Sequence, residues 1–167
     1  DKAEEQSRVV AHVHGNPLVG FGHSSRIVRI DDHDFCANIL GVKKELRHLD
    51  LGKNVVVIGG GNTAMDTARA AKRTKGVEHV YLVYRRTKRY MPADEEELVM
   101  AVEDGVEFKE LLAPKAQENG MLLCDVMKLG EMDASGRRGV VAAGETVSVP
   151  ADTIIAAVGE KIPAHFY

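Results

Sequence analysis

The sequence predicts an α/β fold in which a parallel sheet with crossover helices is joined to an antiparallel β-meander, and three observations carry it. The stretch "NVVVIGGGNTAMDTAR" (54–69) runs an unbroken apolar segment of strand length into three glycines and then an alanine-rich helix. A second apolar run, "HVYLVY" (79–84), follows at the spacing of strand, crossover helix and strand. Beyond Gly105 the apolar period turns from helical to β-like, with turn-forming breaks between the runs.

Residues 1–25 show little periodicity, and "HGNPLVGFGHSS" (14–25) reads as loop. "RIVRI" (26–30) alternates like a short strand. "DDHD" then supplies N-cap candidates for a helix whose stripe is Phe35, Ile39, Val42, Leu46 and Leu49. Gly41 weakens that helix by about 1 kcal/mol relative to alanine. "VVVI" (55–58) has no polar alternation, as expected of a central parallel strand buried on both faces. A helix is predicted from about Thr63 to Lys75, with Asp66 in its first turn, Lys72, Arg73 and Lys75 in its last, and Gly76 to stop it. "MPADEEELVMAVEDG" (91–105) predicts a second helix, with Pro92 at its first position, acids in its first turn and Gly105 at its end. "VEFKELLAP" (106–114), "GMLLCDVMKLG" (120–130) and "GVVAAGETVSV" (139–149) are the predicted meander, broken by "QENG" and "EMDASGRRG". "ADTIIAAVGE" (151–160) closes the pattern as a last apolar strand, and no internal repeat appears.

A chain of 167 residues is expected to form one core and to bury roughly 70% of its unfolded surface. With 44% hydrophobic residues, 28% charged and a net charge of −3, it has the composition of a soluble globular protein without the basic excess that attracts nucleic acid. No apolar run has the length of a membrane span, and "DKAEEQ" lacks the basic and apolar regions of a signal peptide. Cys36 and Cys124 are far apart and form no C-x-x-C pair, so a reducing, cytoplasmic setting is expected. The start without methionine reads as that of a cut fragment.

Gly59, Gly61 and Ala64 match G-x-G-x-x-A in its required context, after a buried strand and opening a helix. This is the Rossmann-like FAD/NAD(P)-binding pattern. Gly59 permits the sharp turn, Gly61 lets a pyrophosphate approach bare backbone, and small Ala64 lets the helix pack on the sheet. The helix N-terminus then faces the phosphates with its N–H groups and positive dipole end. A plain tight βα turn is the simpler alternative. The second strand ends in "VYRRTKR", where an acid would hold a ribose 2′-hydroxyl and an arginine a 2′-phosphate. Arg85 lies near the expected distance of about 20 residues from the glycines. NADPH is therefore expected over NADH, held by Arg85 or Arg86, with Lys88 and Arg89 as supporting charges.

Together, "VVVIGGGNTAMDTARAA", "LVYRRTKRYMPADEEEL", "EDGVEFKELLAP", "MKLGEMDASGRRG" and "DTIIAAVGE" resemble the pyridine-nucleotide domain of the glutamate synthase small subunit family, the nearest likeness being to selenate reductase-type subunits. The resemblance covers about residues 51–163, an NAD(P)H-binding domain, and leaves 1–50 as an N-terminal flanking segment. It implies a domain inserted within an FAD domain, with electrons passing from NADPH to FAD and on through iron–sulfur clusters. It further implies a cofactor-binding set of Gly59, Gly60, Gly61, Asn62, Thr63, Ala64, Arg85, Arg86, Ala157, Val158 and Gly159. The chain holds one glycine fingerprint and no cysteine cluster, so FAD and iron–sulfur clusters are expected in the full-length protein and not here. The partners implied are the FAD domain of the same parent chain and another oxidoreductase subunit, with no nucleic acid and no membrane. Hydride transfer between cofactors needs positioning more than a protein acid or base, so no catalytic residue is expected.

Other patterns take plainer readings. Tyr84 and Lys88 have the Y-x-x-x-K spacing of short-chain dehydrogenases but lie at a strand tip. His12, His14, His23 and His33 lack a completing carboxylate or cysteine pattern and read as ordinary loop histidines. "DEEE" (94–97) suits a helix dipole, and Arg137 and Arg138 suit a turn. A function of another class, a stand-alone NADP(H)-sensing module with residues 1–50 as a partner-binding arm, also fits the sequence.

Overall fold

The computed structural model describes residues 26–29, 51–136 and 138–157; the predicted helix over Phe35 to Leu49, together with Cys36 and the four loop histidines, lies outside them. Strands β1 (Arg26–Arg29), β2 (Asn54–Ile58), β3 (His79–Tyr84), β4 (Glu107–Glu110) and β8 (Thr153–Ala156) form a five-stranded parallel sheet in the order β1-β8-β2-β3-β4. Strands β5 (Leu112–Glu118), β6 (Met121–Met132) and β7 (Arg138–Pro150) form a three-stranded antiparallel sheet. Helix α1 (Asn62–Lys72) crosses from β2 to β3, and α2 (Glu95–Glu103) precedes β4.

The apolar run of β2 explains this layering. Val55, Val56 and Val57 are all fully buried, but successive side chains of a strand point to opposite faces. Val55 and Val57 join Val80, Leu82, Ile155 and the Ala64, Met65, Ala68 and Ala71 stripe of α1 on one face. Val56 joins Val83, Ile154, Leu122, Cys124 and Val149 beneath the antiparallel sheet on the other. The single core expected from chain length is therefore two apolar layers separated by the parallel sheet. Each fully buried valine or leucine stabilises by roughly 1.5–3 kcal/mol relative to exposure. The alanines of α1 contribute closeness instead, since a methyl group lets the helix lie directly on the strands.

"VEFKELLAP" does not run straight into the meander as the sequence implied. Its first half pairs parallel with β3, Tyr81 opposite Glu107 through Tyr84 opposite Glu110, and the chain then leaves for the second sheet at Leu111. Leu111 turns at φ 57°, an uncommon conformation for a bulky residue, held by its N–H on the Arg86 carbonyl and its carbonyl on the Met127 N–H. The meander's first hairpin is legible in sequence: Asn119 and Gly120 both have positive φ, as a two-residue turn between right-twisted strands requires.

Both helices are shorter than expected. Asp66 lies beyond the first turn of α1, which ends at Lys72 rather than Lys75. Pro92 precedes α2 altogether, because Asp94 is the N-cap and Glu95, Glu96 and Glu97 fill the first turn. The Ala93 N–H, just after Pro92, bonds instead to the Gly60 carbonyl at 2.9 Å, which draws that segment out of the helix and onto the glycine turn. Arg138 opens β7 rather than sitting in the turn, and its Nε donates to the Gly130 carbonyl.

Two polar ties hold the frame. Asp152 accepts the N–H groups of Lys53 and Asn54, and the Thr153 hydroxyl donates to the Leu51 carbonyl, so the starts of β8 and β2 are fastened together. Asp104, capping α2, accepts from Arg69 Nε at 2.7 Å and from Arg73 at 3.1 Å, locking α2 to α1.

The Arg69 hydrogen bond holds the Asp104 carboxyl below the usual carboxylate range, with the charges of Arg69 and Arg73 adding to it and desolvation opposing. A carboxyl depressed in the folded state contributes stability above its unfolded pKa and loses it as pH falls through the folded value. Asp104→Asn is therefore expected to lower the Tm at neutral pH, with the gap from the parent closing below about pH 4; thermal melts across pH 2–7 check this. Gly59 has φ 146°, and a Cβ there would stand 2.3 Å from the Ala157 carbonyl oxygen. Gly59→Ala is expected to cost roughly 2–5 kcal/mol in urea unfolding.

Candidate functional site

The parallel sheet reverses its order of chain connection at β2: the crossover through α1 leads one way to β3 and β4, while the last strand, β8, lies on the other side. In open α/β sheets, a crevice opens at such a point beyond the carboxyl ends of the strands. Here those ends are in register, Ile58 opposite Ala156, so Gly59 and Ala157 leave the sheet side by side. The Ala157 N–H bonds to the Ile58 carbonyl at 2.8 Å and the Gly59 N–H to the Val83 carbonyl at 3.2 Å.

The three glycines of the turn differ in what their bareness serves. Gly59 is buried against the Ala157 carbonyl and the Ala64 methyl, so its missing side chain permits internal packing as well as its positive φ. Gly60 is buried against the ring of Tyr84, 2.4 Å from where its Cβ would be. A Cβ added at Gly61 would meet nothing within 4 Å. Only at Gly61 does the absent side chain open space toward solvent.

Gly61 is also the N-cap of α1, with φ −92° and ψ 176°, and makes no side-chain cap bond. The first turn of α1 carries no acid, whereas α2, beginning nearby at Glu95, has three. The positive end of α2 is thus answered by its own carboxylates, whereas α1 has none in its own first turn and meets the Asp94 carboxylate through the Asn62 amide. Bare backbone at Gly61, a helix N-terminus and the open side of the turn fit the pyrophosphate of a dinucleotide.

Thr63 and Ala64 are buried in the first turn, where they seat the helix on the sheet. The exposed Asn62 is engaged with Asp94: its Oδ1 accepts the Asp94 N–H at 3.1 Å and its Nδ2 donates to the Asp94 carboxylate at 3.4 Å. This pair, with the Ala93 bond to Gly60, closes one wall of the turn, a role of Asp94 that helix-cap reasoning did not find. Arg85 is exposed at the tip of β3, next to the half-buried Arg86, so both sit beside the glycine turn's neighbouring strand. A short 3-10 turn, Lys88–Tyr90, follows. Its backbone is pinned by Glu110, which accepts the Lys88 N–H at 2.9 Å, and by the Leu111 bond to the Arg86 carbonyl. The Arg89 guanidinium lies 6.0 Å from the centre of the Tyr90 ring.

Ala157 reaches the turn, while Val158 and Gly159 lie outside the described residues. The Tyr84 phenol donates to the Tyr90 carbonyl at 3.0 Å, so it serves the loop's architecture. Burial pushes the Cys124 thiol up to about 12, with the Asp125 charge adding to it, which makes it an inert core residue rather than a redox thiol. Among the described residues no cluster of His, Cys, Asp or Glu could hold a metal ion, and no helix is long and apolar enough to cross a membrane. A groove of about 680 Å³ between Tyr81, Phe108, Leu112 and Val147 lies on the meander side of the sheet, away from the glycine turn.

Comparison with known proteins identifies the family. The pyridine nucleotide-disulphide oxidoreductase family model matches residues 10–165. YgfK of Escherichia coli (strain K12) is 52% identical over 114 residues, covering 68% of this chain and 11% of that protein. The NADP(+)-dependent formate dehydrogenase subunit beta of Moorella thermoacetica is 40% identical over 161 residues, 88% of this chain and 22% of the relative. The NADPH glutamate synthase small chain of Escherichia coli (strain K12) is 44% identical over 115 residues, 65% and 24% of the two chains. The chain thus spans a quarter or less of the length of these relatives. Among solved structures, a point mutant of FprA from Mycobacterium tuberculosis matches with a TM-score of 0.58 at 18% identity, over 93% of this chain and 50% of that one. That likeness concerns the fold, a sheet with helices of the FAD/NAD(P)-binding type. By a family match over nearly its whole length, the chain belongs to the pyridine nucleotide-disulphide oxidoreductase family and is similar to the glutamate synthase small chain.

Proposed function

We propose that this chain is the NADPH-binding domain of a larger FAD-dependent, iron–sulfur-linked oxidoreductase. The observation that carries the proposal is one juxtaposition: an open, bare Gly61 at the N-terminus of α1, with Arg85 and Arg86 at the tip of the adjoining strand. In this reading the Gly59, Gly60, Gly61 and Thr63 backbone holds the pyrophosphate, and Asn62 and Ala64 shape the turn. Arg85 and Arg86 hold the 2′-phosphate, and Ala157 flanks the nucleotide.

NADPH, when bound, supplies a hydride to a flavin. This chain's contribution is orientation: two anchors, one at the pyrophosphate and one at the ribose phosphate, fix the nucleotide so that its nicotinamide end can be presented to a partner domain. On this reading, positioning is the whole task, and none of the described residues is called on as acid, base or nucleophile. The relatives named for NADP(+)-dependent formate dehydrogenase, NADPH-Fe(3+) oxidoreductase and NADPH glutamate synthase are beta or small chains, which supports a domain working beside other redox subunits. The iron–sulfur clusters and the FAD belong, on this proposal, to the parent protein and its partners.

Calorimetric titration of the 167-residue chain with NADPH and NADH tests the cofactor assignment. NADPH is expected to bind at least about 10-fold more tightly, since charge-assisted hydrogen bonds contribute about 1.5–3 kcal/mol each. Arg85→Ala with Arg86→Ala is expected to erase the difference while leaving NADH binding in place. Equal affinities in the parent chain would sink the assignment.

A further inference from the structure

We propose that Tyr84 is a positioning residue that sets cofactor preference by holding the arginine loop against the glycine turn; the inference rests on the cofactor reading above. Gly60 occupies the free position of G-x-G-x-x-A, where the fingerprint itself asks for no glycine. Its φ lies outside the left-handed region, so conformational freedom does not explain it. The ring of Tyr84 does: Cε2 and Cδ2 stand 2.4 and 2.7 Å from where a Cβ at residue 60 would be. Glycine at 60 and tyrosine at 84 are thus two halves of one contact.

The other end of the same side chain reaches the far side of the loop, where its hydroxyl donates to the Tyr90 carbonyl at 3.0 Å. Tyr84 therefore spans Arg85 and Arg86, bracing the loop that carries them on the turn that would hold the pyrophosphate. Glu110, on the opposite side, holds the Lys88 N–H and ties the loop to β4 alone. The Ala93 bond to Gly60 and the Asn62–Asp94 pair join the segment beyond Tyr90 to the same turn, and Tyr84 adds the brace that runs alongside Arg85 and Arg86. Arginine side chains lose affinity when their backbone must be ordered at binding, so a pre-braced loop strengthens contact with a phosphorylated ribose and leaves contact with a plain ribose unaffected.

The test compares parent, Tyr84→Phe, Gly60→Ala and the arginine double variant as full 167-residue chains, titrated with NADPH and with NADH, with Tm recorded for each. Tyr84→Phe keeps the ring on Gly60 and removes the hydroxyl that donates to the Tyr90 carbonyl. It is expected to keep the parent's NADH affinity and a Tm within a few degrees, while NADPH binds about 3-fold to 10-fold more weakly. Gly60→Ala displaces the ring and, because Gly60 also lies in the pyrophosphate turn, is expected to weaken both cofactors but NADPH more than NADH, with the double variant Gly60→Ala/Tyr84→Phe losing less NADPH affinity than the sum of the two. If Gly60→Ala fails to fold, Tyr84→Phe alone decides. A parent-like NADPH to NADH ratio in Tyr84→Phe, alongside its loss in the arginine variant, overturns this inference and leaves the cofactor reading standing. Equal weakening of both cofactors assigns Tyr84 a structural role and overturns it as well. A parent without preference overturns both.

Discussion

The carbonyl oxygen of Ala157 stands where a side chain at residue 59 would have to be, and the arrangement of the whole site depends on that exclusion. Because Gly59 yields its space, β2 and β8 can end in register and the chain can turn sharply into α1. α1 then begins just beyond the carboxyl end of the central strand. A bulkier residue would push β8 away from β2 and with it the floor of the crevice. The turn, the helix start and the strand exit are thus consequences of one steric fact.

The second constraint is burial on both faces. Val55, Val56 and Val57 of the central strand are fully buried, on both of its faces. Helices cover one face and the antiparallel sheet the other, so the apolar layers clamp the strands whose tips carry the site. The arginines at the end of β3 sit on that rigid base, and the short loop that follows them is fastened at Tyr84, Glu110 and Leu111. On the proposed function, rigidity at the strand and bracing at the loop fix the spacing between the start of α1 and the arginines, as recognition of a nucleotide with both a pyrophosphate and a 2′-phosphate requires.

The match between sequence and structure is closest where a local rule has a single physical cause. β3 spans the same residues as the run "HVYLVY", and Asn119-Gly120 forms the hairpin its φ preferences dictate. The three glycines were legible as a turn but not in their separate uses, since the sequence could not show that Gly60 faces Tyr84 or that Gly59 faces Ala157. Helix ends were misplaced for a similar reason. Pro92 has the right chemistry to begin a helix, yet the bond from Ala93 to Gly60 and the Asn62 pairing with Asp94 offer that segment better partners across the fold. The split of "VEFKELLAP" between two sheets was hidden too, because both halves are β-like and only the turn at Leu111 divides them.

What the sequence determined by itself was the kind of structure and the place of its opening: an apolar strand, a bare turn, a helix and a second strand ending in arginines. Those follow from hydrophobic periodicity and from glycine's missing side chain, both local properties of the chain. Only the tertiary structure decided which surfaces those residues meet. It put the meander on one face of the sheet, divided one expected core into two, and spent Asn62 on Asp94 and Tyr84 on Gly60 and Tyr90. Such pairings join residues far apart in the chain, and their cause is packing in three dimensions, where a steric conflict or an unpaired polar group is resolved by whichever neighbour the fold brings near.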